Sequence, residues 1–303
     1  MTDNRIDGSA EKGYWFAEVV EVEQLTPHMV RVTFGGDDVA EYTSIGVPDE
    51  CVTIFFARDG EDRPPAMTDV DGTWWYHDVE PMPEGRNYTV RRFDTDTGLL
   101  VIDFVAHEGG VAATWALNAA VGQVVLWTRP RSWYNIPDSA EWQLLVADMT
   151  GLPALGRIVE ELPAGAKAHA IVEVLERGDI QQFETAGDVT YDWRIGSGNG
   201  DCASVLDAAV REYVLPEGEG YVWFAGEAAS SRIVRKYIRK EVGYPVRQFE
   251  IIGYWRVNSE QWLEKYKKYQ EEALAVYNGA LEAGRSETEA SEEFDALLER
   301  VGL

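Results

Sequence analysis

Arg86-Asn87-Tyr88-Thr89-Val90-Arg91 sets an aromatic ring between two guanidinium groups, with a hydroxyl directly after it, at the start of a strand-like run. In an alternating strand Arg86 and Tyr88 face one way and Asn87 and Thr89 the other, unless a local bend re-aims one of them. A flat ring beside fixed positive charge suits a ligand that is both aromatic and phosphorylated, and flavin adenine dinucleotide (FAD) is such a ligand. The same residues also fit an ordinary strand, because Tyr and Thr favour strands and Arg commonly lies on a solvated face. The surrounding sequence has to decide between the two.

On both sides of this stretch the first half reads as β structure. Phe16 to Val22 and Met29 to Phe34 are β-rich runs separated by Thr26-Pro27, and Cys51 to Ala57, Asn87 to Phe93, Leu99 to Ala106 and Gln123 to Thr128 continue the series. Asp94-Thr95-Asp96-Thr97-Gly98 supplies a hairpin-type connection. Short strands punctuated by turns in this way predict a closed or partly closed antiparallel barrel. The turn-rich stretch from Thr128 to Asp138 then marks the boundary between halves.

Beyond it the period changes. Gln143 to Asp148, Ala168 to Leu175 and Tyr221 to Ala225 are apolar strands, and they alternate with helical patterns over Leu152 to Leu162, Ala203 to Tyr213 and Ala228 to Lys240. This alternation predicts a parallel sheet covered on both faces, whose ligands bind beyond the carboxyl ends of the strands. Asp148 to Thr150 and Gly226-Glu227 are therefore candidate rim residues. Gly196-Ser197-Gly198-Asn199-Gly200 resembles a dinucleotide fingerprint but shows no strand immediately before it, so a flexible loop is expected. From Ser259 onward the chain is helical and acidic. Trp262, Tyr266 and Tyr269 fall there at helical spacing, as a stripe that packs on the body of the protein or covers a ligand.

The formal charge of −26, from 53 acidic against 27 basic residues, argues against nucleic acid or an anionic membrane as the main partner. Any basic cluster must hold its anion against this unfavourable mean field. The polar, charged first residues carry no secretory pattern and no apolar run is long enough for a bilayer, so a cytoplasmic protein without stable membrane association, and a monomer, is expected. Cys51 and Cys202 are far apart, and His28, His77, His107 and His169 are scattered, so no protein-built metal site is expected.

A second signal follows the strand Leu99 to Ala106, in His107-Glu108-Gly109-Gly110-Val111-Ala112-Ala113-Thr114-Trp115-Ala116. Two glycines allow close backbone approach, and small residues after them can open a helix whose free N–H groups face a phosphate. A Gly-Gly loop ending in a Trp buried for packing is the alternative. Taken together, Arg86-x-Tyr88-Thr89-x-Arg91, His107 to Ala116, Ala147 to Ala154, Trp223-x-Ala225-Gly226-Glu227 and Gly253-Tyr254-Trp255-Arg256 resemble, in order and spacing, the siderophore-interacting proteins. These are FAD-dependent ferric-siderophore reductases of the ferredoxin-NADP reductase superfamily.

The resemblance implies an FAD-binding β-barrel over residues 1–135, an NAD(P)H-binding α/β domain over 136–258 and a helical extension over 259–303. It implies that Tyr88 stacks on the isoalloxazine while Arg86, Asn87 and Thr89 contribute to the flavin site. His107, Gly109 and the turn Gly110, Val111, Ala112, Ala113, Thr114 would hold the pyrophosphate. Thr150 would lie near the flavin or nicotinamide, and Ala225, Gly226, Glu227 and Trp255 would border the cofactor cleft. Arg129, Arg131 and Arg256 would face an anionic iron chelate. No residue is assigned to acid-base or nucleophilic catalysis, because the chemistry is electron transfer from NADH or NADPH through FAD to chelated Fe(III). Ferredoxin is an alternative donor; without an evident Arg/Lys cluster for a 2′-phosphate, NADH is favoured.

This chain also departs from the family pattern. Relatives usually carry Gly-Pro-Ala-Ser where Gly110-Val111-Ala112-Ala113 stands, an acidic residue at Met149 and a basic one at Thr53. Altered phosphate and chelate recognition follows. A general NAD(P)H-flavin oxidoreductase and a non-catalytic siderophore-binding protein are the competing functions.

Overall fold

The computed structural model describes residues 13–106 and 110–303. His107 and Gly109, expected at the pyrophosphate, lie outside the described residues. The first half contains β1 (Tyr14–Thr26), β2 (Met29–Gly35), α1 (Asp37–Ala40), β3 (Cys51–Phe55), β4 (Thr68–Val70), β5 (Thr73–Trp75), β6 (Gly85–Thr89), β7 (Arg92–Asp94), β8 (Leu99–Val105), α2 (Val111–Leu117) and β9 (Val124–Thr128). Seven of these strands form one sheet in the order β6-β3-β9-β1-β2-β8-β7. β6 and β7 lie at opposite ends of that order but are consecutive in the chain, so the Val90-Arg91 link, with Arg91 N–H donating to Val101 O (2.9 Å), curls the sheet into a barrel. The expected single strand from Asn87 to Phe93 is thus two strands, because the chain must turn the barrel's corner between them. Alternation fills the interior with Val19, Val32, Phe34, Val52, Ile54, Ile102, Phe104, Val125 and Trp127, all fully buried. The expected Asp94 to Gly98 hairpin is present, with Asp94 Oδ1 accepting from the N–H groups of Asp96 (2.9 Å) and Thr97 (3.2 Å).

The second half contains β10 (Trp142–Ala147), α3 (Leu152–Glu160), β11 (Lys167–Val174), β12 (Asp188–Ile195), α4 (Leu206–Glu212), β13 (Gly220–Glu227), α5 (Ala228–Lys236) and β14 (Phe249–Trp255). The sheet is parallel, in the order β12-β11-β10-β13-β14, so its order reverses between β10 and β13. β10 is buried along its whole length, as a central parallel strand must be. β12 overturns the expectation that no strand precedes Gly196. Val189, Tyr191, Trp193 and Ile195 alternate with polar residues there, the pattern of an edge strand with one wet face.

Residues 259–303 form α6 (Ser259–Tyr266), α7 (Gln270–Glu282) and α8 (Glu287–Arg300). Ala273, Leu297, Leu298 and Leu303 make their own small core, joined by Trp262, Tyr266 and Tyr269. The stripe therefore packs within the extension, which is tied to α5 through Arg235–Asp295 (2.5 Å) and to the turn after it through Arg239–Glu292.

α3 holds barrel and sheet together. Leu152, Leu155 and Val159 bury against the sheet, while Arg157 Nη1 donates to Val90 O (2.9 Å) and to Glu50 Oε2 (3.3 Å) in the barrel. Glu50 also accepts from Tyr42 Oη (2.5 Å) and Ser44 Oγ (2.5 Å). At the next turn Glu160 receives a two-pronged bond from Arg91 (2.6 Å each). On the β1–β2 turn, Asp179 accepts from Thr26 Oγ1 (2.9 Å) and His28 N–H (3.0 Å).

Candidate functional site

The register of β6 with β3 fixes where each residue of Arg86 to Thr89 points. Asn87 pairs with Thr53 and Thr89 with Cys51, while Arg86 pairs with Ile54 and Tyr88 with Val52. Tyr88 follows Val52 to the barrel side, its ring 4.3 Å from that of Phe104 at a 43° tilt, and burial holds its phenol well above the usual range. On the other face Asn87 Oδ1 accepts from Thr53 Oγ1 (2.8 Å), and the Arg131 guanidinium reaches both Asn87 Oδ1 and Thr53 Oγ1 (3.2 Å). Arg131 comes to this face because its N–H and C=O pair with Cys51 (3.0 and 2.8 Å), extending β3's partnership into the boundary loop. Its Cζ also lies 5.6 Å from the Trp133 ring centroid.

Beneath this loop Asp49, fully buried, accepts from Ser132 Oγ and from the N–H groups of Trp133 (3.0 Å) and Tyr134 (2.8 Å). Burial pushes its carboxyl up, and those three donors oppose the rise. Arg86 is exposed and pairs with Glu84 (2.8 Å). Thr89 is 5% exposed, its hydroxyl neighbouring the Tyr254 phenol.

Across the junction lies the reversal point of the parallel sheet. Asp148, at the end of β10, is fully buried and accepts from Thr150 N–H (2.8 Å), Thr150 Oγ1 (2.6 Å) and Trp255 Nε1 (2.5 Å). Desolvation raises its pKa against those donors. Gly226, at the end of β13, is needed because a Cβ there would stand 2.9 Å from Asp148 Oδ2. Glu227 caps α5, accepting from Ala229 N–H (2.5 Å) and Ser230 N–H (3.2 Å). The Gly196 to Gly200 loop is built in: Asn199 Oδ1 accepts from Met149 N–H (2.8 Å), and Gly200 faces the Trp255 ring. It covers Glu173, whose carboxylate accepts from Val205 N–H (3.0 Å) and whose pKa burial pushes up to about 7.

The comparisons with known proteins fall on this arrangement. Residues 18–134 match the siderophore-interacting FAD-binding domain, and residues 140–258 match the siderophore-interacting protein family. An uncharacterized protein of Mycobacterium tuberculosis is 32% identical over 275 residues, covering 85% of this chain and 96% of the other. The chain belongs to the siderophore-interacting protein family. A siderophore utilization protein from T. fusca has a solved structure that is 32% identical, with a TM-score of 0.72 over 81% of this chain and 93% of that one. The NADPH-dependent ferric-chelate reductase of Escherichia coli is 27% identical over 240 residues, 78% of this chain and 91% of the other.

Within this siderophore-interacting protein, the expected site residues fall into three places. Tyr88, Thr89, Asn87 and Arg131 share the barrel's edge. Thr150, Ala225, Gly226 and Trp255 share the strand ends opposite. Arg256 keeps different company: its Cζ sits 4.2 Å from the Trp262 ring centroid, and burial followed by repulsion from Arg232 lowers its pKa. At the start of α2, Ala112 and Ala113 are buried in or against the barrel core, leaving Val111 and Thr114 exposed. Only backbone groups of the two alanines remain to meet a phosphate. Gly110 takes a positive φ of 82°, which a glycine supplies at little cost, and no side chain caps the helix.

The residues present fit a flavin. A tyrosine ring on one face of β6, a buried threonine hydroxyl on the other and uncapped N–H groups at the start of α2 offer aromatic, polar and anion contacts. Asp148 was expected at the rim of the sheet, whereas Asp49 and Tyr254 were not among the expected site residues. An acidic pair standing directly before the apolar strand Cys51 to Phe55 was the available signal for Asp49. Among the described residues no group of His, Cys, Asp and Glu could hold a metal ion, and no helix is long and apolar enough to cross a membrane.

Proposed function

We propose that this chain is a ferric-siderophore reductase that uses FAD and takes electrons from NADH. The observation that carries the reading is the β6 register, which sets the Tyr88 ring and the buried Thr89 hydroxyl at the edge of a barrel joined to a parallel sheet whose order reverses between β10 and β13. Ligands of open parallel sheets bind at such points. Tyr88, Thr89 and the α2 backbone would hold the cofactor, which when bound accepts a hydride's electron pair and releases electrons singly, as Fe(III) requires.

The chain's own residues would do the rest. Arg131 is held by two neutral oxygens rather than a carboxylate, so its charge stays available to an anionic chelate on a protein of net charge −26. Asp148 tethers the Trp255 indole at the mouth of the strand ends. Glu173, Asp148 and Glu227 are acidic groups at that edge, which disfavours a dianionic 2′-phosphate and supports NADH as donor. The reading is tested by reconstituting the purified protein with FAD and following flavin bleaching by NADH and NADPH in stopped flow. Fe(II) capture from a ferric siderophore then tests turnover. Absence of bound flavin after reconstitution sinks it; faster bleaching by NADPH corrects the donor alone.

A further inference from the structure

Arg131 is carried on a loop that is pinned to both domains. Its N–H and C=O pair with Cys51, and directly after it the buried Asp49 carboxylate accepts from Ser132 Oγ and from the N–H groups of Trp133 (3.0 Å) and Tyr134 (2.8 Å). Farther along, Tyr134 Oη donates to Gln143 Oε1 (2.7 Å) and Asn135 N–H to Tyr221 Oη (3.1 Å), both on strands of the parallel sheet. A loop fixed in this way presents its guanidinium at one place, against Thr53 and Asn87.

The β3–β6 register gives the composition of that surface. Cys51↔Thr89, Thr53↔Asn87 and Phe55↔Gly85 share the face turned away from the barrel core, because Val52, Ile54 and Tyr88 take the other. Gly85 makes room for the Phe55 ring, since a Cβ there would stand 2.7 Å from it, and the half-exposed Trp75 meets that ring edge-on at 5.8 Å. The face therefore runs from aromatic rings, through the neutral hydroxyl of Thr53 and the exposed amide of Asn87, to the Arg131 guanidinium beside the Trp133 ring. Among the described residues the cation bonded to these two neutral groups is Arg131. Asp49, bonded to the residue next to it, offsets part of its charge.

A ferric ion wrapped by a trihydroxamate is uncharged, whereas one wrapped by a triscatecholate is trianionic. The aromatic rings suit flat arms of either kind, so charge has to discriminate. The Arg131 guanidinium balances a single negative charge, and the remainder of a trianion would face a protein of net charge −26. Resting on the reductase reading above, we propose that the Thr53, Asn87 and Arg131 group sets a charge limit on the substrate: this chain takes ferric chelates bearing no more than one negative charge, of the trihydroxamate class, and discriminates against triscatecholates. Thr53 is the specificity-determining position, because a cation there would add to Arg131 on the same face.

The test is binding to the flavin-loaded full chain, read by titration calorimetry with gallium(III) chelates, whose metal has the charge of Fe(III) but takes no electron from a flavin. The probes are gallium desferrichrome, an uncharged trihydroxamate, and gallium enterobactin, a trianionic triscatecholate. The wild type is expected to bind the first about ten-fold more tightly, the worth of one charge-assisted hydrogen bond. Thr53→Lys should move the ratio of the two affinities toward the triscatecholate by about the same factor, a shift that shrinks as salt is added. Asn87→Lys, at an exposed position of the edge strand, adds the same charge without touching the half-buried Thr53 and should move the ratio the same way. Equal or tighter binding of the triscatecholate by the wild type would overturn the charge limit while leaving the reductase reading intact, and so would a ratio unmoved in both lysine variants. A flavin-loaded wild type that binds neither chelate would overturn the siderophore reading and the charge limit together.

Discussion

Arg91 and Arg86 bracket Tyr88 on one stretch of chain, yet they belong to opposite kinds of surface. Arg91 is 10% exposed and clasps Glu160 of α3; Arg86 is 48% exposed and touches only its near neighbours. The same contrast divides the whole junction between barrel and sheet. On the α3 side, Arg157 meets Glu50, Arg31 meets Asp103 (2.7 Å) and Arg91 meets Glu160. On the other side, Arg131 rests on the neutral oxygens of Asn87 and Thr53. Where polar groups find partners within the chain, the junction is finished by folding. Where charge is left without a counter-charge, the proposed function gives that side of the junction to a ligand.

The largest effect should come from breaking the finished side. Glu50→Ala leaves the Arg157 guanidinium, 11% exposed, with Glu161 (2.7 Å) as its remaining carboxylate and none from the barrel. Removing one partner of a buried pair costs about 3–5 kcal/mol, so denaturant unfolding of the flavin-free protein should show a loss of that order. A loss under about 1 kcal/mol, within the range of exposed pairs, would mean that the network does not hold the junction.

A second effect sharpens the contrast through pH. Glu173 is 1% exposed, hydrogen-bonded but without a cation, and its pKa in the folded protein is about 7 against 4.5 for the free group. The folded state therefore binds the proton more tightly. The stabilisation is full below about pH 4.5 and is lost as pH rises through 7, amounting to about 3 kcal/mol in all. Glu173→Gln keeps an acceptor for Val205 N–H and should flatten that part of the stability profile, gaining on the wild type at pH 8. Parallel profiles for the two proteins would show that Glu173 titrates normally.

On the open side, Arg131→Ala should leave the melting temperature of the flavin-free protein within a degree or two, because it removes no ion pair. It should raise KM for a ferric siderophore about ten-fold, the worth of one charge-assisted hydrogen bond, with a smaller change in kcat. A matching fall in stability would assign Arg131 to the barrel's structure instead.

Much of this was legible in the sequence, and the illegible part has a physical cause. Barrel and sheet announced themselves through period, alternation in Met29 to Phe34 and an unbroken apolar run in Gln143 to Ala147. The Arg86 to Arg91 alternation held as far as Thr89, where the strand ends. Nothing local could separate Arg86 from Arg91, since Glu160 stands far along the chain. Arg256 was grouped with Arg129 and Arg131 through the family resemblance, and its stacking on Trp262 of the extension had no mark in that pattern. The β12 strand had its signal in Val189, Tyr191, Trp193 and Ile195, but the glycine loop after it drew the reading toward flexibility. A bulge such as that at Tyr254, where the β13–β14 register slips, exists only in the pairing of two strands and leaves no mark on either one.

The smallest stability effect belongs to Arg86, and it separates the two surfaces most cleanly. Its pair with Glu84 is 2.8 Å long between side chains 48% and 61% exposed, and such pairs contribute about 0–1 kcal/mol, less in salt. Arg86→Ala should therefore leave unfolding of the flavin-free protein unchanged within error. If Arg86 is kept for an anionic cofactor, the same substitution should weaken FAD binding several-fold at low ionic strength, with the difference from wild type shrinking as salt is added. Arg91→Ala should do the reverse, costing stability at every salt concentration because Glu160 and Asp103 lose a half-buried partner. Two arginines five residues apart in the chain would then respond oppositely to the same pair of measurements. If instead both destabilise the flavin-free protein alike, the β6 face is ordinary structure and the division of the junction into finished and open sides fails.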